Sequence, residues 1–235
     1  MLNFFSKLNI ILFYIFFLIT LILFPLMVFL FVLIKPILTI RITMILSNRY
    51  GHLSLNPMQY LLKKKEEEND KRYLDLFYAS RYGICNKELF KIWKKKIIIM
   101  PRFLIEPFNI LLNRVLGKKN PFTISNFDYN NRDINFLRDL HDPPFKLTKN
   151  QIKKCEETLL MNNIDIRKIR YVCLFNRDNA YLNSFKYKKN WDYLSHHNYK
   201  IGKFLSTAKA LNRKNIYVFR MGTKVEEKFS VNNSM

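Results

Sequence analysis

Acidic side chains are scarce in this chain: 18 Asp and Glu face 40 Lys and Arg across 235 residues, a formal charge of +22. That balance implies an anionic partner such as a nucleotide, a phosphorylated lipid, an anionic bilayer surface or nucleic acid. Part of it reflects a compositional lean towards Lys, Ile, Asn and Phe. Cysteine is also rare. Cys85, Cys155 and Cys173 are odd in number, widely spaced and without metal-ligand spacing, which excludes a disulfide framework or a structural zinc site and suits a reducing compartment. Internal repeats are absent, and the only low-complexity stretch, KKKEEENDKR (63–72), reads as a solvated helix end. What is present is apolar: 49% of residues are hydrophobic and 15% aromatic, which excludes a disordered chain and allows one large core or two smaller ones.

Charge is missing altogether from residues 10–34, IILFYIFFLITLILFPLMVFLFVLI. As a helix this run measures roughly 37 Å, more than the ~30 Å hydrocarbon core of a bilayer. A cleavable signal peptide would have a shorter apolar region and a small-residue cleavage site, so the expectation is a membrane anchor. Pro25 would kink it or turn it into a re-entrant hairpin, and a single span is the simpler reading. Only Lys7 precedes the run, whereas Lys35, Arg41, Arg49 and Lys63 to Lys65 follow it. The positive-inside rule then puts the body in the cytoplasm, for a bacterium at the inner membrane.

Beyond the anchor, strand-like and helix-like patterns alternate. ILTIRITMIL (37–46) alternates Ile40, Ile42 and Met44 with Thr39, Arg41 and Thr43, and DLFYAS (75–80) and IIIM (97–100) are further strands. Asn56-Pro57 reads as an N-cap and first-turn proline, Asn86 as the cap of KELFKIWKKK, Pro107 as the opening of FNILLNRVL and Gly117 as its C-terminal cap. Residues 118–147, including HDPPF, read as an irregular connection. Thr148 and Gln151 then form a capping box, and strand YVCLF (171–175), helix GKFLSTAKAL (202–211) and strand IYVF (216–219) make a second βαβ unit. The expected fold is α/β: a transmembrane helix over 1–36, a Rossmann-like acceptor-side domain over 37–150, and the start of a donor-binding domain over 151–235, with ligands in a cleft at the strands' carboxyl ends.

Polar residues just after strands are therefore the candidate site. In Arg49-Tyr-Gly51-His52 the imidazole could serve as a general base, Gly51 relaxes the turn and Arg49 could hold phosphate or sugar oxygens. Arg177 and Arg220 could converge on a pyrophosphate through paired charge-assisted bonds, with Gly222 allowing close backbone approach. The plain alternative is that Arg177 pairs with Asp178 on the surface. His196, His197 and Tyr199 lie in a loop that could touch a sugar or base, and no carboxylates near them have metal-ligand spacing.

Taken together, R-x-G-H-L-x-x-N-P (49–57), CNKELFKIW (85–93), YVCLFNRDNAY (171–181) and VFRMG (218–222) resemble a family of bacterial glycosyltransferases found with surface-polysaccharide synthesis genes. The resemblance runs in order from about residue 37 to the C-terminus. It implies a two-domain GT-B-type enzyme, with a nucleotide-sugar donor on the second domain and a lipid-linked or glycan acceptor approached by the first. Arg177, Asp178 and Tyr181 match the RD-x-x-Y part of its central motif, and HHNYKIGKF (196–204) departs from the family pattern at Lys200 to Gly202. The family continues past R-M-G with further strands, so the chain ending at Met235 reads as a truncated or split member. The implied reaction is transfer of a sugar to a membrane-bound acceptor without a metal or other cofactor: His52 takes the acceptor proton while Arg177 and Arg220 offset charge on the departing diphosphate. A membrane-tethered, non-catalytic protein that binds nucleic acid or anionic lipid through its basic surface is the alternative, although the resemblance leads one to expect no nucleic acid.

Overall fold

The structure, a computed structural model, describes residues 2–66, 72–124, 142, 146–184, 196, 198–222 and 224–229. It is a mixed α/β protein with an N-terminal apolar helix and parallel sheets, and its chain divides into two compact units at residues 146/147. Most of the connection over 118–147 beyond Ile124, His197 and residues 230–235 lie outside the described residues.

Unit 1 begins with α1 (Leu2–Ile34), a single helix that continues through Pro25, so there is no re-entrant hairpin. The sheet follows: β1 (Thr39–Ile45), α2 (Tyr50–Glu66), β2 (Tyr73–Ala79), α3 (Lys87–Lys94), β3 (Ile98–Ile99) and α4 (Arg102–Val115). The strands are parallel in the order β1-β2-β3, with Ile42 beside Leu76 and Leu76 beside Ile98. After α4 the chain returns to the free side of β1, where Ile42 N donates to Phe122 O at 2.8 Å and bridges Thr123 in parallel. This reversal of direction beside β1 gives a partly Rossmann-like layout.

Strand alternation sorts the side chains onto two faces. Ile45 and Phe77 pack with Leu53 of α2 and with Leu89, Phe90 and Trp93 of α3. Ile42 and Tyr78 point the other way, to Phe108 and Leu112 of α4 and to Phe122. Both faces are therefore covered, as a parallel sheet requires. The second face has an unforeseen contributor in α1, whose Phe31 ring lies 4.9 Å from that of Phe108 and 5.7 Å from that of Phe122. Phe24 meets Phe108 at 5.6 Å and Phe16 meets Phe103 at 5.2 Å. Contacts from Phe16 to Phe31 cover roughly 22 Å of helix at about 1.5 Å per residue. One side of the apolar run thus belongs to the core layer, because its aromatic residues recur at helical spacing and find a matching apolar stripe on α4.

Two helix starts differ from those expected. Helix α2 begins at Tyr50, with Leu53 N already donating to Arg49 O at 2.9 Å, so Asn56 and Pro57 lie inside it. Pro57 cannot donate to the carbonyl of Leu53, four residues back. The Trp93 indole supplies the missing donor, giving Leu53 O a hydrogen bond at 2.8 Å. Helix α4 likewise begins at Arg102, with Pro101 at the N-cap position but no side-chain cap, and runs through Pro107. The cap at Asn86 is as expected, its Oδ1 accepting from Leu89 N at 2.9 Å, and Gly117 follows the end of α4 at φ +79°, the left-handed conformation such a terminus favours.

Unit 2 comprises α5 (Lys149–Leu160), β4 (Arg170–Phe175), the short α6 (Ala180–Asn183), a 3-10 turn (Ile201–Phe204), α7 (Leu205–Asn212) and β5 (Ile216–Met221). The Thr148–Gln151 capping box forms as expected. Strands β4 and β5 pair in parallel from Arg170↔Ile216 to Phe175↔Met221. Among the described residues of this unit only Ile201 and Ala208 are buried hydrophobics.

Candidate functional site

At the carboxyl edge of the unit 1 sheet, Ser47 ties the β1–α2 turn to the β2–α3 loop. Its Oγ donates to Gly83 O at 2.7 Å and accepts from Ser80 N at 3.1 Å, while its carbonyl accepts from Cys85 N at 2.9 Å. The turn is thereby held rigid. Arg49 lies in it, whereas Gly51 and His52 belong to the first turn of α2 instead of the loop. His52 is half-buried, and desolvation, followed by repulsion from the Arg49 guanidinium, holds its pKa below the usual imidazole value, partly offset by a hydrogen bond with Asn56. A neutral imidazole at pH 7 can accept a proton.

Gly51 does not relax a turn. A Cβ there would meet nothing within 4 Å, and the residue is helical. The same edge carries a carboxylate that sequence reading missed: Glu106 is buried in α4, and desolvation raises its pKa despite the nearby Arg102 and Arg81 guanidinium groups. The only sequence signal was a single acid amid the apolar LIEPF.

In unit 2 the edge after β4 and β5 is knotted by Asp178. Its carboxylate accepts from Ala180 N at 3.1 Å and Glu226 N at 3.2 Å and lies 3.5 Å from Arg220 Nη2. Glu226 reciprocates, its Oε1 accepting from Asn179 N at 3.1 Å. Arg220 lies within β5, not after it, and its ion pair is with Asp178, both side chains being 10% exposed. The surface pair imagined between Arg177 and Asp178 is replaced by this one, and the charge of Arg220 is thus spent on protein. Arg177 makes no ion pair among the described residues, and its carbonyl accepts from Tyr199 N at 3.1 Å. Tyr199 O in turn accepts from Asn176 Nδ2 at 2.8 Å, drawing Tyr199 against the strand end.

Tyr181 is half-buried in α6, His196 is exposed, and the Tyr199 side chain is exposed. Gly222 has φ +135°, and a Cβ there would come within 3.0 Å of Val225 Cγ1, so the chain's turn after β5 needs glycine. Four buried polar atoms here have no hydrogen-bond partner among the described residues: Asn176 Oδ1, Asn179 Oδ1, Asn198 Oδ1 and Arg220 Nε. Among the described residues no three His, Cys, Asp or Glu side chains are grouped to hold a metal ion. The segment Ile11–Ile34 has a mean hydropathy of 3.1 and is long and apolar enough to cross a membrane. No protein-family model, curated protein or solved structure matches this chain.

Proposed function

We propose that this protein is a membrane-associated glycosyltransferase that moves a sugar from a nucleotide donor to a lipid-linked or glycan acceptor. The observation that carries the reading is the group of orphaned polar atoms at the carboxyl edge of the β4–β5 pair. Buried polar atoms are almost always satisfied, and ligands of parallel α/β units bind at this edge. Hydroxyls of a ribose or sugar would donate to the three Asn oxygens, and a phosphate oxygen would accept from Arg220 Nε. Arg177, in no ion pair among the described residues, is the cation for the departing diphosphate. The motif order from Arg49 to Gly222 supports the same reading, as does the apolar helix that would keep the enzyme beside a membrane-bound acceptor.

In the reaction the acceptor hydroxyl oxygen bonds to the anomeric carbon. The bond from that carbon to the phosphate oxygen breaks, the nucleoside diphosphate leaves with the electron pair, and the hydroxyl proton passes to a general base. Positioning and electrostatics carry most of the rate.

The test uses the full chain in uncharged detergent with a panel of nucleoside diphosphates. One of them should raise the melting temperature saturably, and Arg177→Ala should weaken that binding by about tenfold or more, the loss of a charge-assisted bond. Absence of any nucleotide response, together with steeply salt-dependent RNA binding, would overturn the proposal in favour of a nucleic-acid-binding protein.

A further inference from the structure

At the amino edge of the unit 1 sheet, the end opposite the His52 turn, a pocket of about 760 Å³ opens between the end of α1, the starts of β1 and β2, and the return segment at 120–123. Lys35, Arg41 and Arg72 line it with Thr39, Tyr73 and Asn120, and no carboxylate is among its lining residues. Arg41 is set in place from behind. Its Nε and Nη2 donate to the Asp75 carboxylate at 2.6 and 2.8 Å, and its guanidinium plane covers the Tyr73 ring at 3.7 Å. Asp75 is almost wholly buried and also accepts from the Tyr60 hydroxyl at 2.5 Å. The charge of Arg41 is therefore balanced, but its Nη1 group is engaged by no described residue. Lys35 and Arg72 are exposed cations with no ion pair among the described residues.

The position of the pocket says which anion it meets. Lys35 directly follows Ile34, the last residue of the apolar run, and Ile37, another lining residue, is 70% exposed. Along α1 the side turned away from α4 is also apolar and open, with Ile22 at 78% and Leu33 at 61% exposure. An apolar flank that ends at a cationic pocket matches an amphiphile with acyl chains and a phosphate head.

We infer that this pocket binds the phosphate of an anionic membrane lipid, with Lys35 and Arg72 supplying the charge, Arg41 a preset donor, and the exposed side of α1 receiving the acyl chains. The inference stands without glycosyl transfer. It rests on α1 facing lipid, and it assigns the phosphate to a headgroup and not to a free ion.

The full chain in uncharged detergent is titrated with monomeric dioctanoyl phosphatidylglycerol, with dioctanoylglycerol, which lacks the phosphate, and with inorganic phosphate. The phosphatidylglycerol should raise the melting temperature saturably, the diacylglycerol should not, and inorganic phosphate should act only at concentrations at least about tenfold higher. The double variant Lys35→Ala/Arg72→Ala should weaken phosphatidylglycerol binding by about tenfold or more, the loss expected for charge-assisted contacts, with its ligand-free melting temperature unchanged. Arg72→Lys should retain most of the affinity, and Lys87→Ala, on α3, all of it. Unchanged lipid binding by the double variant, or an equal response to diacylglycerol, overturns the site. An equal response to inorganic phosphate overturns the lipid assignment and makes the pocket a soluble-phosphate site.

Discussion

Each unit is built from parallel strands joined through helices, but the two close their sheets to different degrees. In unit 1 the strands are covered on both faces, with Phe77, Trp93, Phe108 and Leu112 sealed from solvent. In unit 2 the two-stranded pair leaves Tyr171 45%, Tyr217 47% and Phe175 75% exposed, and α5 buries no residue at all. The cause lies in the helices. KELFKIWK of α3 buries Leu89, Phe90 and Trp93 on one face, whereas KNQIKKCEETLL of α5 has the smaller stripe Ile152, Cys155, Leu159 and Leu160 and buries none of it. Unit 1 is consequently held by burial, and unit 2 by its backbone ladder and by the loop knot that Asp178 ties with Arg220 and Glu226. A polar edge can be ordered without a large core beneath it.

Unit-resolved stability, read as the urea dependence of hydrogen exchange in peptides of each unit, turns this contrast into numbers. The largest effect belongs to Trp93→Ala. It removes the best-buried large side chain of unit 1 and orphans Leu53 O opposite Pro57, so unit 1 should lose roughly 3–5 kcal/mol while unit 2 peptides exchange as before. A loss under about 1 kcal/mol would mean that the Trp93 site collapses without penalty and that the core of unit 1 is not what separates the units.

Asp75→Asn keeps the shape but removes the charge that Arg41 and Tyr60 address, and should cost unit 1 about 1.5–3 kcal/mol. Phe175→Ser tests the other side of the comparison. On an exposed strand face the same kind of aromatic truncation should change unit 2 by no more than about 0.5 kcal/mol, and a larger loss would reveal a covering surface that engages this face.

The smallest effect concerns pH. The folded-state pKa of His52 lies below its unfolded value near 6.5, so the unfolded chain binds more protons in the interval between them. The contribution of His52 to stability is present above pH 6.5 and is lost as pH falls through that interval. His52→Gln should therefore lose less stability than the parent between pH 7.5 and pH 5. Parallel pH profiles for the two proteins would remove the case for a desolvated, neutral imidazole.

Much of the fold could be read from neighbouring residues alone. Alternation about Arg41 marked β1, Asn86 and the Thr148–Gln151 pair marked two helix starts, and Gly117 marked the end of α4, because each of these signals is completed within three or four positions. The prolines misled for the complementary reason. Whether Pro57 opens a helix or sits inside one depends on who supplies the hydrogen bond it cannot make, and that donor, Trp93, is 40 residues from the carbonyl it reaches. Of the candidate site, the position of His52 near the end of β1 was legible, but the use of Arg220 was not: its partner Asp178 is 42 positions away and meets it only because β4 and β5 pair in register.

By itself the sequence determined the element types, the parallel βα alternation and the apolar helix, since periodicity and capping are short-range physics. The tertiary structure alone decided that α1 lies along α4 as part of a core layer, that Asp178 claims Arg220, that Glu106 is desolvated, and that Lys35, Arg41 and Arg72 share one pocket. Each of these depends on strand register and helix packing that bring distant residues within a few ångströms, which is where charge pairing, desolvation and cavity shape are set.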